Sequence, residues 1–219
     1  MKNIKNKIIA ALFLVAFVVS GCDFGDTNED PSSVIAAPIN QQLTSLTVNV
    51  GFFAGSDLNR YSSLIMQQYS GQTTAATTQM QFFEQFQIVG SDLNNAWSNI
   101  YETILNDAEN IINDANVSNS PHYSGVAKIL KAYTYQLAVD TWGSIPYSEA
   151  QKLAGNLKPK YDTDESIYAE LIKLLDQGIA EVNAQTSTLS PGTNSTIFPG
   201  TFTTTKNNWI KFANTLKLR

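Results

Sequence analysis

From Pro38 onward, apolar residues recur every three or four positions, the spacing that gathers them on one face of an α-helix. Ile39, Leu43, Leu46 and Val50 form a first stripe. Gly51 and Gly55 interrupt it and Leu58, Tyr61, Leu64 and Ile65 resume it, which predicts two short helices. A longer stripe follows Ser91 and Asp92, either of which can cap a helix by accepting first-turn amides; it comprises Leu93, Trp97, Ile100, Tyr101, Ile104, Ala108, Ile111 and Ala115. Ser120-Pro121 supplies an N-cap and a proline at the first helical position. Val126, Ile129, Leu130, Tyr133 and Leu137 then repeat until Gly143 stops the helix. Asp162 and Glu165 have capping-box spacing ahead of Ile167, Leu171, Leu174, Leu175, Ile179 and Val182.

The stretch from Thr186 to Lys206 is rich in Ser, Thr, Gly and Pro and is expected to be a long loop, with Ile197 to Thr205 as a short hairpin arm. Trp209, Phe212, Ala213 and Leu216 then begin a helix that meets Arg219 with no Gly, Asn or Pro to stop it, so the chain is expected to be truncated in its last helix. The helices opening at Asp92 and Asp162 are weakly self-similar. Tyr101, Ile104, Leu105, Ala108, Ile112 and Ala115 align with Tyr168, Leu171, Ile172, Leu175, Ile179 and Val182 at an offset of 67. That offset is about two helix-turn-helix units of roughly 34 residues. The expected fold is all-α, an irregular tetratricopeptide-like helical repeat array with long loops.

One apolar run has no period. Ile8 to Val19 is unbroken, follows Lys2, Lys5 and Lys7, and falls short of the roughly 20 residues that span a bilayer. It has the make-up of a signal-peptide core. Val19-Ser20-Gly21-Cys22 closes it with an aliphatic residue, two small ones and the single cysteine, the arrangement at which a bacterial lipoprotein is cut and lipidated on Cys22. Residues 1–21 are thus expected to be a lipoprotein signal peptide. Residues 22–37, acidic, small and without period, are expected to be a flexible tether, and 38–219 the helical domain.

Removing the signal lysines takes the formal charge from −5 to −8, which argues against nucleic acid or an anionic lipid surface as a partner. Membrane attachment must then come from the lipid on Cys22. Only 15% of residues are charged while Asn, Gln, Ser and Thr are abundant, a surface suited to neutral, hydroxylated ligands. His122 is the sole histidine, so no metal cluster and no Ser-His-Asp triad can be assembled from this chain's side chains, and no cofactor is implied. The acids sit at helix starts or on polar faces, and no pair stands out for glycoside hydrolysis.

Asp140, Trp142, Gly143, Pro146 and Tyr147 are read as a scaffold corner: the glycine stops a helix, Ile145-Pro146 is extended, and the rings pack. Trp97 and Trp209 lie on apolar stripes and are read as core. The candidate binding stretch is Tyr69 to Gln87, YSGQTTAATTQMQFFEQFQ, where aromatic rings alternate with amides. Sugar rings present C–H faces to aromatics and hydroxyls to amides, which makes Tyr69, Gln72, Phe82, Phe83 and Gln85 the candidate ligand contacts. The alternative, in which Phe82, Phe83 and Phe86 cover the helix beneath, stands beside it.

The segment AKILKAYTYQLAVDTWGSIPYSEA (127–150) resembles the SusD/RagB family of nutrient-binding outer-membrane lipoproteins, in its SusD-like branch. The helix with Trp97-Ser98-Asn99-Ile100-Tyr101 and Asn110, the start Tyr161-Asp162 with Ser166-Ile167-Tyr168, and NWIKFANTLKLR (208–219) are similar to further family segments in the same order. The resemblance covers the mature chain and corresponds to the N-terminal part of the family. It implies a helical, non-enzymatic lipoprotein that captures oligosaccharides, or peptides in some members, for a SusC-like TonB-dependent transporter. It also implies a lipid anchor in the outer membrane. Asp26, Glu29 and Asp30 resemble the acidic signal that sends such lipoproteins to the cell surface in Bacteroidetes. The alternatives are a peptide-binding or protein-contacting helical scaffold and, third, a surface glycosidase.

Overall fold

The computed structural model describes residues 37–68, 70, 79–152 and 155–219. The first helix does not stop at its glycines. α1, Ile39–Phe53, passes through a wider π-helical turn at Ala54–Leu58 straight into α2, Asn59–Ile65, so the two short helices expected here form one continuous rod. Gly51 and Gly55 are exposed, and nothing lies within 4 Å of where a Cβ would stand on either. A glycine costs a helix about 1 kcal/mol, whereas burying Leu43, Leu46, Val50 and Phe53 contributes roughly 1.5–3 kcal/mol apiece.

α3, Gln79–Glu84, is short. The next rod changes pitch along its length: a 3₁₀ turn at Gly90–Leu93, α4 at Asn94–Ser98, a π-helical stretch at Asn99–Ile104, then α5 at Leu105–Val117. Asp92 lies inside the first turn, where its carboxylate accepts the Val89 amide at 2.9 Å.

α6, Pro121–Trp142, is the centre of the molecule, buried on most of its circumference and packed against α5, α1 and the two later helices, α7 (Asp164–Val182) and α8 (Phe202–Leu218). It starts at Ser120, as expected, through the backbone carbonyl, which accepts the Tyr123 amide at 3.0 Å. The Ser120 hydroxyl instead accepts the Leu189 amide at 3.1 Å. α6 ends at Gly143, whose φ of +72° is accessible to glycine without strain. The Lys131 ammonium pairs with Glu109 of α5, and Lys128 with Glu181 of α7.

Two short strands, β1 (Ile145–Pro146) and β2 (Tyr161–Asp162), pair antiparallel, Ile145 with Asp162 and Pro146 with Tyr161. This corrects the expected capping box. Asp162 belongs to the strand and points back at the turn after α6, while Thr163 caps α7 by accepting the Ser166 amide at 3.4 Å. The carboxylate found three fixed donors across the turn, and hydrogen bonds to a charged group outweigh a single cap.

The long loop is shorter than expected and holds no hairpin arm. α8 already begins at Phe202, and Ile197 and Phe198 pack on the core, Phe198 edge-on to Trp209 at 4.8 Å. Asn194 fastens the loop: its backbone carbonyl accepts the Thr44 hydroxyl at 2.8 Å, and its amide donates to the Asn40 carbonyl at 3.2 Å. His122 ties it from the other side, its ring 2.7 Å from the Ser190 hydroxyl, 3.0 Å from the Ala184 carbonyl and stacked on Phe202. Among the described residues, no helix is long and apolar enough to cross a membrane.

Candidate functional site

The rod formed by α1 and α2, the short α3 and the end of α6 enclose a cleft of about 590 Å³. Its floor is aliphatic, from Leu58, Ile65, Ile88, Leu93 and Leu137, and its rim carries Asn59, Ser62, Asp140, Thr141 and Arg219. A space of this size falls within the range of small-ligand sites. Phe83 forms part of the wall. It is 2% exposed and stacks on Tyr61 with ring centres 4.6 Å apart. The Arg60 guanidinium lies 4.9 Å from the Tyr61 ring centre and donates to its hydroxyl at 3.1 Å, and that hydroxyl donates to the Asp92 carbonyl at 3.4 Å. Both rings are therefore committed to the wall, and their faces are not open to a ligand.

On the rim from α6, Asp140 accepts the Tyr168 hydroxyl and a hydrogen bond of 2.8 Å from the Arg219 guanidinium. Burial, and then the Asp140 carboxylate beside it, push the Tyr168 phenol up to about 12, so it stays a donor at neutral pH. Asp140 is the one carboxylate among the described residues that line the cleft. The arrangement suits binding: an apolar slot with a charged pair at one edge.

The structure separates the residues singled out in the sequence. Phe83 turns inward, whereas Phe82, on the same short helix, and Gln85, in the turn that follows it, face solvent. Tyr69, Gln72 and Cys22 lie outside the described residues. The sequence reading counts Phe86 among the rings covering the helix beneath and not among the ligand contacts. This residue is 62% exposed and adopts a φ of +57°, a left-handed conformation that glycine and asparagine accept but that disfavours an aromatic side chain. The available signal was that α3 has to end there with no Gly or Asn to end it.

The corner at the end of α6 is built as expected from Trp142, Gly143, Pro146 and Tyr147, whereas Asp140, expected in it, lies on the cleft rim with Tyr168 and Arg219. Trp142 meets Trp97 edge-on at 5.4 Å, Trp97 lies 4.8 Å from Tyr101, and Tyr101 donates to the Pro146 carbonyl at 2.8 Å. Tyr147 packs edge-on to Tyr135 at 4.7 Å, and burial, reinforced by nearby carboxylates, pushes its phenol up to about 12. Asp162 accepts the Ser148 amide at 2.7 Å, the Ser148 hydroxyl at 3.0 Å and the Tyr147 amide at 3.3 Å. Burial opposes its charge, but these donors and the Lys160 ammonium outweigh that and hold the carboxyl below its usual range. No cluster of three or more metal-ligating side chains occurs among the described residues.

The sequence model of the SusD-like family, described as "Starch-binding associating with outer membrane", matches residues 28–219. Among solved structures, the chain is similar to a SusD/RagB family protein from Bacteroides thetaiotaomicron, at 26% identity and a TM-score of 0.70 over 83% of this chain and 37% of that one. It is similar to a chitin-binding protein at 28% identity and a TM-score of 0.63, covering 83% and 38%. A chitin-binding SusD homolog from Flavobacterium johnsoniae shares the fold at 21% identity and a TM-score of 0.55, covering 82% and 37%. These relatives are helical, tetratricopeptide-like proteins, and the chain spans little more than a third of their length. A search of curated proteins finds no match to the chain.

Proposed function

This chain belongs to the SusD-like family, and from that premise we propose that it is a cell-surface lipoprotein that binds a nutrient oligosaccharide and delivers it to a TonB-dependent outer-membrane transporter. The observation that carries the proposal is the family match over residues 28–219. The cleft and the exposed rings and amides of Phe82, Gln85, Phe86 and Gln87 support it, because an apolar slot bordered by hydrogen-bonding groups is what a ring with C–H faces and hydroxyl edges requires. Members of the family are binding proteins rather than enzymes. On this reading Cys22 carries the acyl chains, and two or three such chains anchor a protein stably where one does not.

Calorimetric titration with starch-derived and chitin-derived oligosaccharides tests the binding half, and co-purification from detergent-solubilised outer membranes tests the partner. Saturable binding of at least one glycan, and recovery of a TonB-dependent transporter, are expected. A protein that binds none of the glycans and elutes without a barrel partner would sink the proposal.

A peptide ligand is the second reading, and one observation favours it: the aliphatic floor beside the Asp140–Arg219 pair fits an apolar side chain next to a charged or amide group. A set of short peptides in the same titration separates the two.

A further inference from the structure

We propose that Phe86 is a ligand-contacting residue, an aromatic platform on which a sugar ring of the bound oligosaccharide stacks, with the Gln85 and Gln87 amides beside it taking the sugar hydroxyls. The assignment rests on the glycan-binding reading above and names the contact. α3 closes with the Phe86 amide donating to the Phe83 carbonyl at 3.1 Å and the Gln87 amide to the Phe82 carbonyl at 2.7 Å, a helix ending whose left-handed residue is usually glycine. Phenylalanine there is strained at φ +57° and 62% exposed. It gains no core packing in return. Gln67, Asn119 and Gln151 share the positive φ, but Phe86 alone among these four is an exposed aromatic ring, and strain held without packing is a reason to seek a function there.

The neighbouring side chains supply the chemistry. The Gln87 amide nitrogen donates to the Gln85 carbonyl oxygen at 3.3 Å, so the two exposed amides are joined across Phe86. That leaves the Gln85 NH₂ as donor and the Gln87 carbonyl oxygen as acceptor. A donor and an acceptor beside an open aromatic face match a sugar ring, whose C–H face is apolar and whose hydroxyls both donate and accept. Phe83 cannot serve in this way, being buried against Tyr61.

The test uses the lipidated wild type and three variants, Phe86→Gly, Phe86→Asn and Phe86→Tyr, each read by melting temperature and by calorimetric titration with the starch-derived and chitin-derived oligosaccharides. Glycine and asparagine both accept the left-handed conformation, so each is expected to raise Tm by about 2–4 °C while weakening glycan binding roughly three- to tenfold. Tyrosine keeps the ring and should retain wild-type affinity. This opposite movement of stability and affinity is the signature of the assignment, since a packing residue would lose both. Wild-type affinity in Phe86→Gly and Phe86→Asn overturns the assignment and leaves the glycan reading standing. A fall in Tm with either substitution overturns it too, by showing that the ring packs. A wild type that binds no oligosaccharide overturns the glycan reading and this assignment together.

Discussion

A Cβ placed on Gly125 would stand 2.7 Å from the carbonyl oxygen of Gly178. The backbones of α6 and α7 touch at this crossing, and the reverse addition, on Gly178, would meet Ile129 at 2.9 Å. The Lys128–Glu181 pair lies close by along the same two helices and ties them together beside the contact.

Gly125→Ala is accordingly expected to destabilise the protein by about 1–3 kcal/mol, because the atoms in the way are backbone and the helices must part. Gly51→Ala is the control: nothing surrounds that position, and the substitution should stabilise by roughly 0.5–1 kcal/mol through lower chain entropy. Urea unfolding of both variants checks the pair. Equal effects would show that the two glycines are not distinguished by packing.

Phe83→Ala and Phe82→Ala should part company although the residues are adjacent. Removing the ring stacked on Tyr61 leaves a cavity and should cost about 3 kcal/mol, whereas Phe82, on the exposed side, should change stability by no more than about 0.5 kcal/mol. Thermal melts of the two single variants decide. Similar losses would mean that both rings are core.

The Asp162 latch makes stability pH-dependent. Its folded carboxyl titrates below the unfolded value, so its contribution is complete above about pH 4 and is lost as pH falls through the folded value. Asp162→Asn should cost about 2 kcal/mol at pH 7, in line with hydrogen bonds to a charged group. The gap to wild type should close on acidification. Melting curves from pH 7 down to pH 2 measure this, and a gap constant across the series would show that the charge is not what holds the turn.

If Cys22 is the lipid acceptor, as the lipoprotein reading proposes, Cys22→Ser is expected to leave the protein soluble or stalled as precursor. Metabolic labelling with palmitate and membrane fractionation provide the readout. Labelled, membrane-bound variant protein would refute the lipoprotein reading.

Helices α5, α6 and α7 were legible in the sequence because an apolar stripe is a local property: residues three and four apart share a face whatever the rest of the chain does. The family was legible for a similar reason, in contiguous strings such as DTWGSIPY and KFANTLKLR. Roles set by distant neighbours were hidden. Asp162 has the spacing of a cap, yet Ser148 and Tyr147, brought round by the paired strands, claim its carboxylate and leave Thr163 to cap α7. Gly51 and Gly125 are the same residue in the same kind of helix, and only the approach of α7 separates a free surface position from a backbone crossing. In Phe82-Phe83, successive side chains on a helix diverge by about 100°, so which ring becomes wall waits on where Tyr61 is placed. The cleft itself draws on residues 54–65, 83–93, 137–141 and 219. No periodicity joins those segments; only tertiary packing, including that of α2 against α3, does.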